Sequence, residues 1–288
     1  HRTHCARDGG HSAGYGSRPN LGRMNTLGYT EAVRAVGDWI RSERREFNAN
    51  HVETKALNSL VSYVDQQAEQ MLIERLTSLL PGSGVLGEEG GESWIDGGFN
   101  WIIDPLDGTT NFIHDLPPYA VSVALMQGRD LVWAAVYELG QARMFTAERD
   151  RGALCDGRGL DVRQGAPLRD GLVATGFPYH EFSQMPQYLE ALQACFRGSR
   201  GVRRFGSAAT ELAWVADGRF QGFFEHGLAP WDVAAGILLV RESGGLATDF
   251  FGTELDDYDL VRCGSIAAGN PQAYHDLIHL TSDAFTRP

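Results

Sequence analysis

The chain has 288 residues, 43% hydrophobic and 22% charged, with a formal net charge of −12. That length can bury a sizeable core as one large domain or two modest ones, and the composition is that of an ordinary soluble protein. The acidic balance argues against a nucleic-acid partner. No apolar run approaches the roughly 18 to 20 residues of a membrane span.

Residues 1–23 are rich in Gly, His, Ser and Arg and show no periodicity. They read as a disordered extension without the apolar core of a signal peptide, with Met24 as the natural start. Apolar residues at Tyr29, Val33, Val36 and Ile40 predict a helix from Tyr29 to Phe47. A second helix is expected from Asp65 to Leu80, with Ala68, Leu72, Leu76 and Leu79 on one face, Asp65 at its start, and Pro81-Gly82 as its stop. An acidic Gly-rich loop follows at Gly87–Glu92, then a short buried strand, Trp101–Ile103, running into Asp104. Strands at Ala120–Met126, Leu131–Glu138 and Arg143–Ala147 are separated by short turns and predict an antiparallel sheet.

After about Pro167 strands and helices alternate. Leu172–Thr175, Val202–Phe205 and Phe220–Glu225 read as strands, and Gln184–Phe196, Ser207–Ala216 and Pro230–Glu242 as helices. Asn270-Pro271 opens a last helix. The expected organisation is one catalytic unit, 24–288, in a mixed α/β class. Its first half, 24–166, is α+β and its second, 167–288, is α/β.

Four cysteines, Cys5, Cys155, Cys195 and Cys263, are too scattered for a zinc or redox motif and suit a reducing cytoplasmic setting. Of 25 basic residues only Lys55 is a lysine, so a compact ammonium is a candidate requirement there, with chance placement of a lone lysine as the plain alternative.

The densest chemical signal is Trp101-Ile-Ile-Asp-Pro-Leu-Asp-Gly-Thr-Thr-Asn-Phe112. Pro105 fixes its own φ and restrains Asp104, so Asp104 and Asp107 sit on a stiff turn. Paired hard oxygen ligands suit Mg²⁺, and Gly108-Thr109-Thr110 offers a backbone and hydroxyl cradle for phosphate. Taken singly, each acidic segment has a plain alternative: backbone capping at Asp104 and Asp107, a solvated turn at Glu88-Glu89, a helix-dipole acid at Asp232.

Gly87-Glu-Glu89, Trp101–Phe112, Phe205–Gly218 and Pro230-Trp-Asp-Val-Ala-Ala-Gly236, with Lys55 ten residues before Asp65, resemble the signatures of the inositol monophosphatase family. The resemblance spans about Tyr29 to Leu280. It implies an α/β/α/β/α layered sandwich that forms a homodimer and hydrolyses a small phosphate ester with two or three Mg²⁺ ions, without nucleic acid or membrane. It implies that Glu88, Asp104 and the Leu106 carbonyl hold one Mg²⁺. Asp104, Asp107 and Asp232 hold a second, and Glu88 shares a weaker third with water.

By the same resemblance Asp107, Gly108, Thr109 and Asp232 surround the phosphate. Asp65, Thr109 and Glu88 serve the attacking water, and Lys55 supports the metal carboxylates. Gly206, Ser207, Ala208 and Glu225 line the alcohol side. Ser59, Ser62 and Glu211 depart from the family pattern, Glu211 standing where aspartate is usual. Inositol monophosphate is the expected substrate. Sugar bisphosphates, histidinol phosphate, phosphoadenosine phosphate or a non-catalytic binding role are the alternatives.

Overall fold

The computed structural model describes residues 24–46, 52–56, 59–177 and 182–285, with backbone alone in 52–56 and 59–62. The expected extension at 1–23 and the side chains of Lys55, Ser59 and Ser62 lie outside the described residues.

Helix α1, Thr26–Glu46, and helix α2, Tyr63–Leu79, are joined by a hairpin of β1, Val52–Ala56, and β2, Ser59–Ser62. The helical spacing read from Tyr29, Val33, Val36 and Ile40 is the buried face of α1. On α2 the apolar face ends at Leu76, and Leu79 is 36% exposed because it closes the last turn. Glu69 is buried beside Ala68 on that same helix, an acid placed within an apolar stripe.

A seven-stranded sheet follows, ordered β3, Gly84–Gly87; β4, Phe99–Asp107; β5, Ala120–Gln127; β6, Asp130–Glu138; β7, Arg143–Glu148; β8, Gly152–Cys155; and β9, Arg158–Gly159. Its β3–β4 pair is parallel and the remaining neighbours are antiparallel. Short helix α3, Thr109–Ile113, leaves the end of β4. Strand β4 runs well past the expected Ile103 and carries Asp104 and Asp107 within it.

The second half contains a five-stranded sheet. Its elements in chain order are β10, Leu172–Thr175; α4, Met185–Gly198; β11, Gly201–Arg203; α5, Ala208–Ala216; β12, Gly222–His226; α6, Pro230–Glu242; β13, Leu246–Thr248; α7, Asp257–Leu260; β14, Ser265–Gly269; and α8, Pro271–Ala284. Sheet order is β11-β10-β12-β14-β13, parallel across β11-β10-β12 and antiparallel beyond.

Three cores stack these layers. On one side α1 and α2 cover the large sheet through Trp101, Ile103, Val121, Val123 and Trp133, where Tyr29 meets Trp101 and Trp133 edge-on at 4.9 and 5.5 Å. Between the sheets α5 and α6 pack on Ile102, Ala120, Ala124 and Val136 from one sheet and on Phe223, Ile266 and Ala268 from the other. Outside the small sheet α4 and α8 close over Val173, Phe224 and Ala267. This is the α/β/α/β/α order, and the centre to which the acids belong lies along the buried α5–α6 layer.

Candidate active site

The site begins with a fault in β4. Asp104 pairs with Ser122 and Asp107 with Ala120, so three steps on β4 match two on β5. Pro105 has no N–H to give the ladder, and proline inside a sheet belongs at such a bulge. The extra residue reverses side-chain parity, because alternation along a strand has a period of two. Leu106 therefore joins Trp101 and Ile103 in the α1–α2 core. Asp104 and Asp107 share the face of Ser122 and Ala120, where the Ser122 hydroxyl donates to the Trp231 carbonyl at 3.2 Å. Both carboxylates thus face the start of α6.

Each acid is held by backbone or side-chain donors. The Leu106 N–H donates to Asp104 Oδ1 at 3.0 Å. Asp107 Oδ2 accepts the Ser207 hydroxyl at 2.6 Å and the Ala209 N–H at 2.8 Å, satisfying the first turn of α5 from outside that helix. Asp232, in the first turn of α6, reaches back to the Ala229 N–H at 2.7 Å. Glu88 sits in the loop after β3, its N–H on the Ile103 carbonyl at 3.2 Å. Buried Glu69 clamps that loop, accepting from Glu89 N–H at 2.8 Å and Gly91 N–H at 3.0 Å.

The electrostatics tie these acids together. Burial pushes the Asp104 carboxyl well above the usual range, aided by the charges of Glu88, Asp107 and Asp232 and by a hydrogen bond with Glu88. Burial, then Asp107 and Glu88, pushes Asp232 up in the same way. Asp107 rises only to about 6, because burial is opposed by its donors on Ser207 and α5. Among the described residues no three acid, His or Cys side chains are already drawn into a closed ligand cluster. The donor set is nonetheless hard oxygen throughout, carries excess negative charge, and fits a hard divalent cation that would offset the repulsion.

Beside the acids, the Thr109 hydroxyl lies 2.8 Å from Asp65 Oδ1 and 3.0 Å from the Leu106 carbonyl. Gly108 has φ +87°, and a Cβ there would stand 3.1 Å from the Gly206 carbonyl oxygen and 3.2 Å from that of Pro118. Left-handed backbone at this close approach is why the segment needs glycine.

On the far side stand Gly206, Ser207, Ala208 and buried Glu225, whose carboxyl burial pushes well up, with Glu211, Asp232 and Asp107 adding to the effect and Arg204 opposing it. Gly176 packs so close to Glu225 that a Cβ would overlap its carboxylate. Arg204 lies 5.5 Å from the Phe177 ring centre. Gly176, Phe177, Arg204 and Glu69 were not singled out from the sequence. Only Glu69 left a signal there, an acid interrupting the buried stripe of α2.

With this geometry in place the comparisons are decisive. The inositol monophosphatase family model matches residues 25–285. The chain belongs to the inositol monophosphatase family. It is 41% identical over 241 residues to an inositol-1-monophosphatase of Rhizobium meliloti, covering 83% of this chain and 89% of that protein. It is 38% identical over 254 residues to the Nus factor SuhB of Pseudomonas aeruginosa, covering 86% and 92%. The extragenic suppressor protein SuhB of Bartonella henselae superposes with a TM-score of 0.83 at 36% identity, covering 91% of this chain and 99% of that one. Family membership accounts for the layered sandwich. Among the described residues, no helix is long and apolar enough to cross a membrane.

Proposed function

We propose that the chain is a magnesium-dependent phosphatase acting on a small phosphate monoester, with inositol monophosphate as its substrate. The observation that carries this reading is the convergence of Glu88, Asp104, Asp107 and Asp232, the Asp104 and Asp232 carboxyls raised by burial and by the neighbouring acids and that of Asp107 by burial, beside the Thr109–Asp65 pair. The family is generally metal-dependent. Glu88, Asp104 and the Leu106 carbonyl would hold one Mg²⁺, Asp104, Asp107 and Asp232 a second, and Glu88 would share a third with water. Bound there, the ions would supply positive charge for the phosphoryl oxygens and make a water acidic enough to attack near neutral pH.

The chain's own residues do the remaining work. Asp65 accepts a hydrogen bond from the Thr109 hydroxyl, which leaves the lone pairs of the Thr109 oxygen to accept a hydrogen bond from the attacking water and aim it at phosphorus. Gly108 lets the backbone approach the phosphate. Glu225, walled by Gly176, hydrogen bonds the hydroxyls of the departing polyol. Water then displaces the alcohol in line, the P–O ester bond breaking as the new P–O bond forms, and the alcohol leaves with a proton. The Rhizobium meliloti relative's name supports the inositol substrate.

A second reading rests on the relatives named Nus factor SuhB. In it the fold serves as a binding partner, with or without catalysis. The test is phosphate release from inositol, sugar and nucleotide phosphates with and without Mg²⁺. Magnesium-dependent release greatest on inositol monophosphate is the expected result. A folded chain that binds Mg²⁺ and releases no phosphate from any ester would leave the binding role.

A further inference from the structure

We infer that Glu211 is a positioning residue for this centre: its carboxyl group fixes the turn Phe205–Ser207 and, through that turn, the hydrogen bonds that hold Asp107. The inference rests on Asp107 being a metal ligand, as proposed above.

Glu211 lies in the first turn of α5 with none of its surface exposed. An acid that only complemented the helix dipole would face its own first-turn N–H groups or solvent. Glu211 instead reaches back past the start of the helix. Its Oε1 accepts the Phe205 N–H at 2.6 Å. The carbonyl of the same residue is gripped from the Asp107–Asn111 segment, where Asn111 Nδ2 donates to the Phe205 carbonyl at 2.6 Å and to the Pro118 carbonyl at 2.8 Å. The backbone of Phe205 is therefore clamped by an acid of α5 on its N–H and by the Asp-Gly-Thr-Thr-Asn segment on its C=O, two successive peptide units held from opposite sides.

The next two residues are the ones that touch the centre. The Gly206 carbonyl lies against Gly108. The Ser207 hydroxyl donates to Asp107 and lies 2.7 Å from Thr210 Oγ1. If Glu211 lets go, the Phe205–Ser207 turn loses its hold on one side and the Ser207 donor drifts from Asp107. Partners of this kind around ligating carboxylates set metal affinity by roughly 10- to 100-fold. Glutamate has the reach for this span. Aspartate is one methylene shorter and could make that bond only by pulling the turn toward α5.

The experiment measures the Mg²⁺-induced rise in Tm across a MgCl2 titration for wild type, E211A, E211D and E211Q, with phosphate release on the same samples. E211A should need roughly ten-fold more Mg²⁺ for half of the effect. E211Q, whose amide oxygen can accept the same N–H, should stay within about three-fold of wild type, the scale of a retained hydrogen bond. E211D should fall between them. The metal-free Tm separately reads any purely structural cost. An E211A protein with a lowered metal-free Tm but a wild-type Mg²⁺ midpoint would overturn the inference. Should E211A not fold, equal midpoints for E211D and E211Q would overturn it as well. A wild type with no response to Mg²⁺ would instead overturn the metal reading itself, and the inference with it.

Discussion

Asp107 and Ala209 stand 102 residues apart in the chain, yet the Asp107 carboxylate accepts the Ala209 N–H at 2.8 Å. One side chain of the first half thus completes the first turn of a helix in the second. The same oxygen accepts the Ser207 hydroxyl, so the proposed metal site and the joining of the halves depend on one carboxylate.

Asp107→Asn keeps an oxygen for those two donors and removes the charge. Turnover should fall by about 100-fold or more, at least the cost of disturbing a ligand's support. The metal-free Tm should hold or rise, because one of four mutually repelling acids is gone. The Mg²⁺-induced rise in Tm should shrink or vanish. Phosphate release and melting curves with and without MgCl2 check this, and wild-type turnover would remove Asp107 from the metal set.

Asp65 and Thr109 should act as a unit. Asp65→Asn and Thr109→Val should each lower kcat by roughly 10²- to 10⁴-fold, the range for a positioned proton acceptor, with KM little changed. The double variant should be no worse than the poorer single one, because groups serving one step are not additive. Steady-state kinetics on the four proteins decide it. Fully additive losses would separate the pair.

Much of this architecture is legible in local pattern. The helical spacing of Tyr29, Val33, Val36 and Ile40 gave the buried face of α1 directly, and Asp-Pro-Leu-Asp-Gly-Thr-Thr marked the candidate site. What stayed hidden depends on pairing across the chain. The bulge at Pro105 needs β5 as its reference, since only Ser122 and Ala120 show that Asp104 and Asp107 share a face. Strands β9 and β13, of two and three residues, are too short to carry a period. Glu211 is visible in the sequence only as a glutamate where aspartate is usual, until the fold puts the Phe205 N–H beside it.

Gly236, the last residue of the Pro-Trp-Asp-Val-Ala-Ala-Gly motif, has a packing reason rather than a chemical one. A Cβ there would stand 2.5 Å from Leu212 Cβ on α5. Gly236→Ala should force α5 and α6 apart and cost about 1–3 kcal/mol. For a chain of this size that is on the order of 2–4 °C in Tm per kcal/mol. Activity should fall with it, since α6 carries Asp232 and α5 receives Asp107. An unchanged melting curve would mean the helices have slack at this contact.

The pH dependence of metal-free stability should report Glu211. Burial, opposed by the Phe205 N–H and reinforced by the Asp107 charge, pushes its carboxyl from 4.5 up to about 8. A carboxyl with a raised native pKa holds its proton more tightly folded than unfolded. Its contribution is therefore complete below about pH 4.5 and drains away as the pH climbs to about 8. Glu211→Gln cannot ionise and keeps the hydrogen-bonding oxygen. Relative to wild type, it should gain stability steadily from pH 5 to pH 9, with the difference levelling off above the native pKa. Denaturant midpoints in chelator across that range make the comparison. A constant difference between the two proteins would mean that Glu211 titrates as an ordinary glutamate.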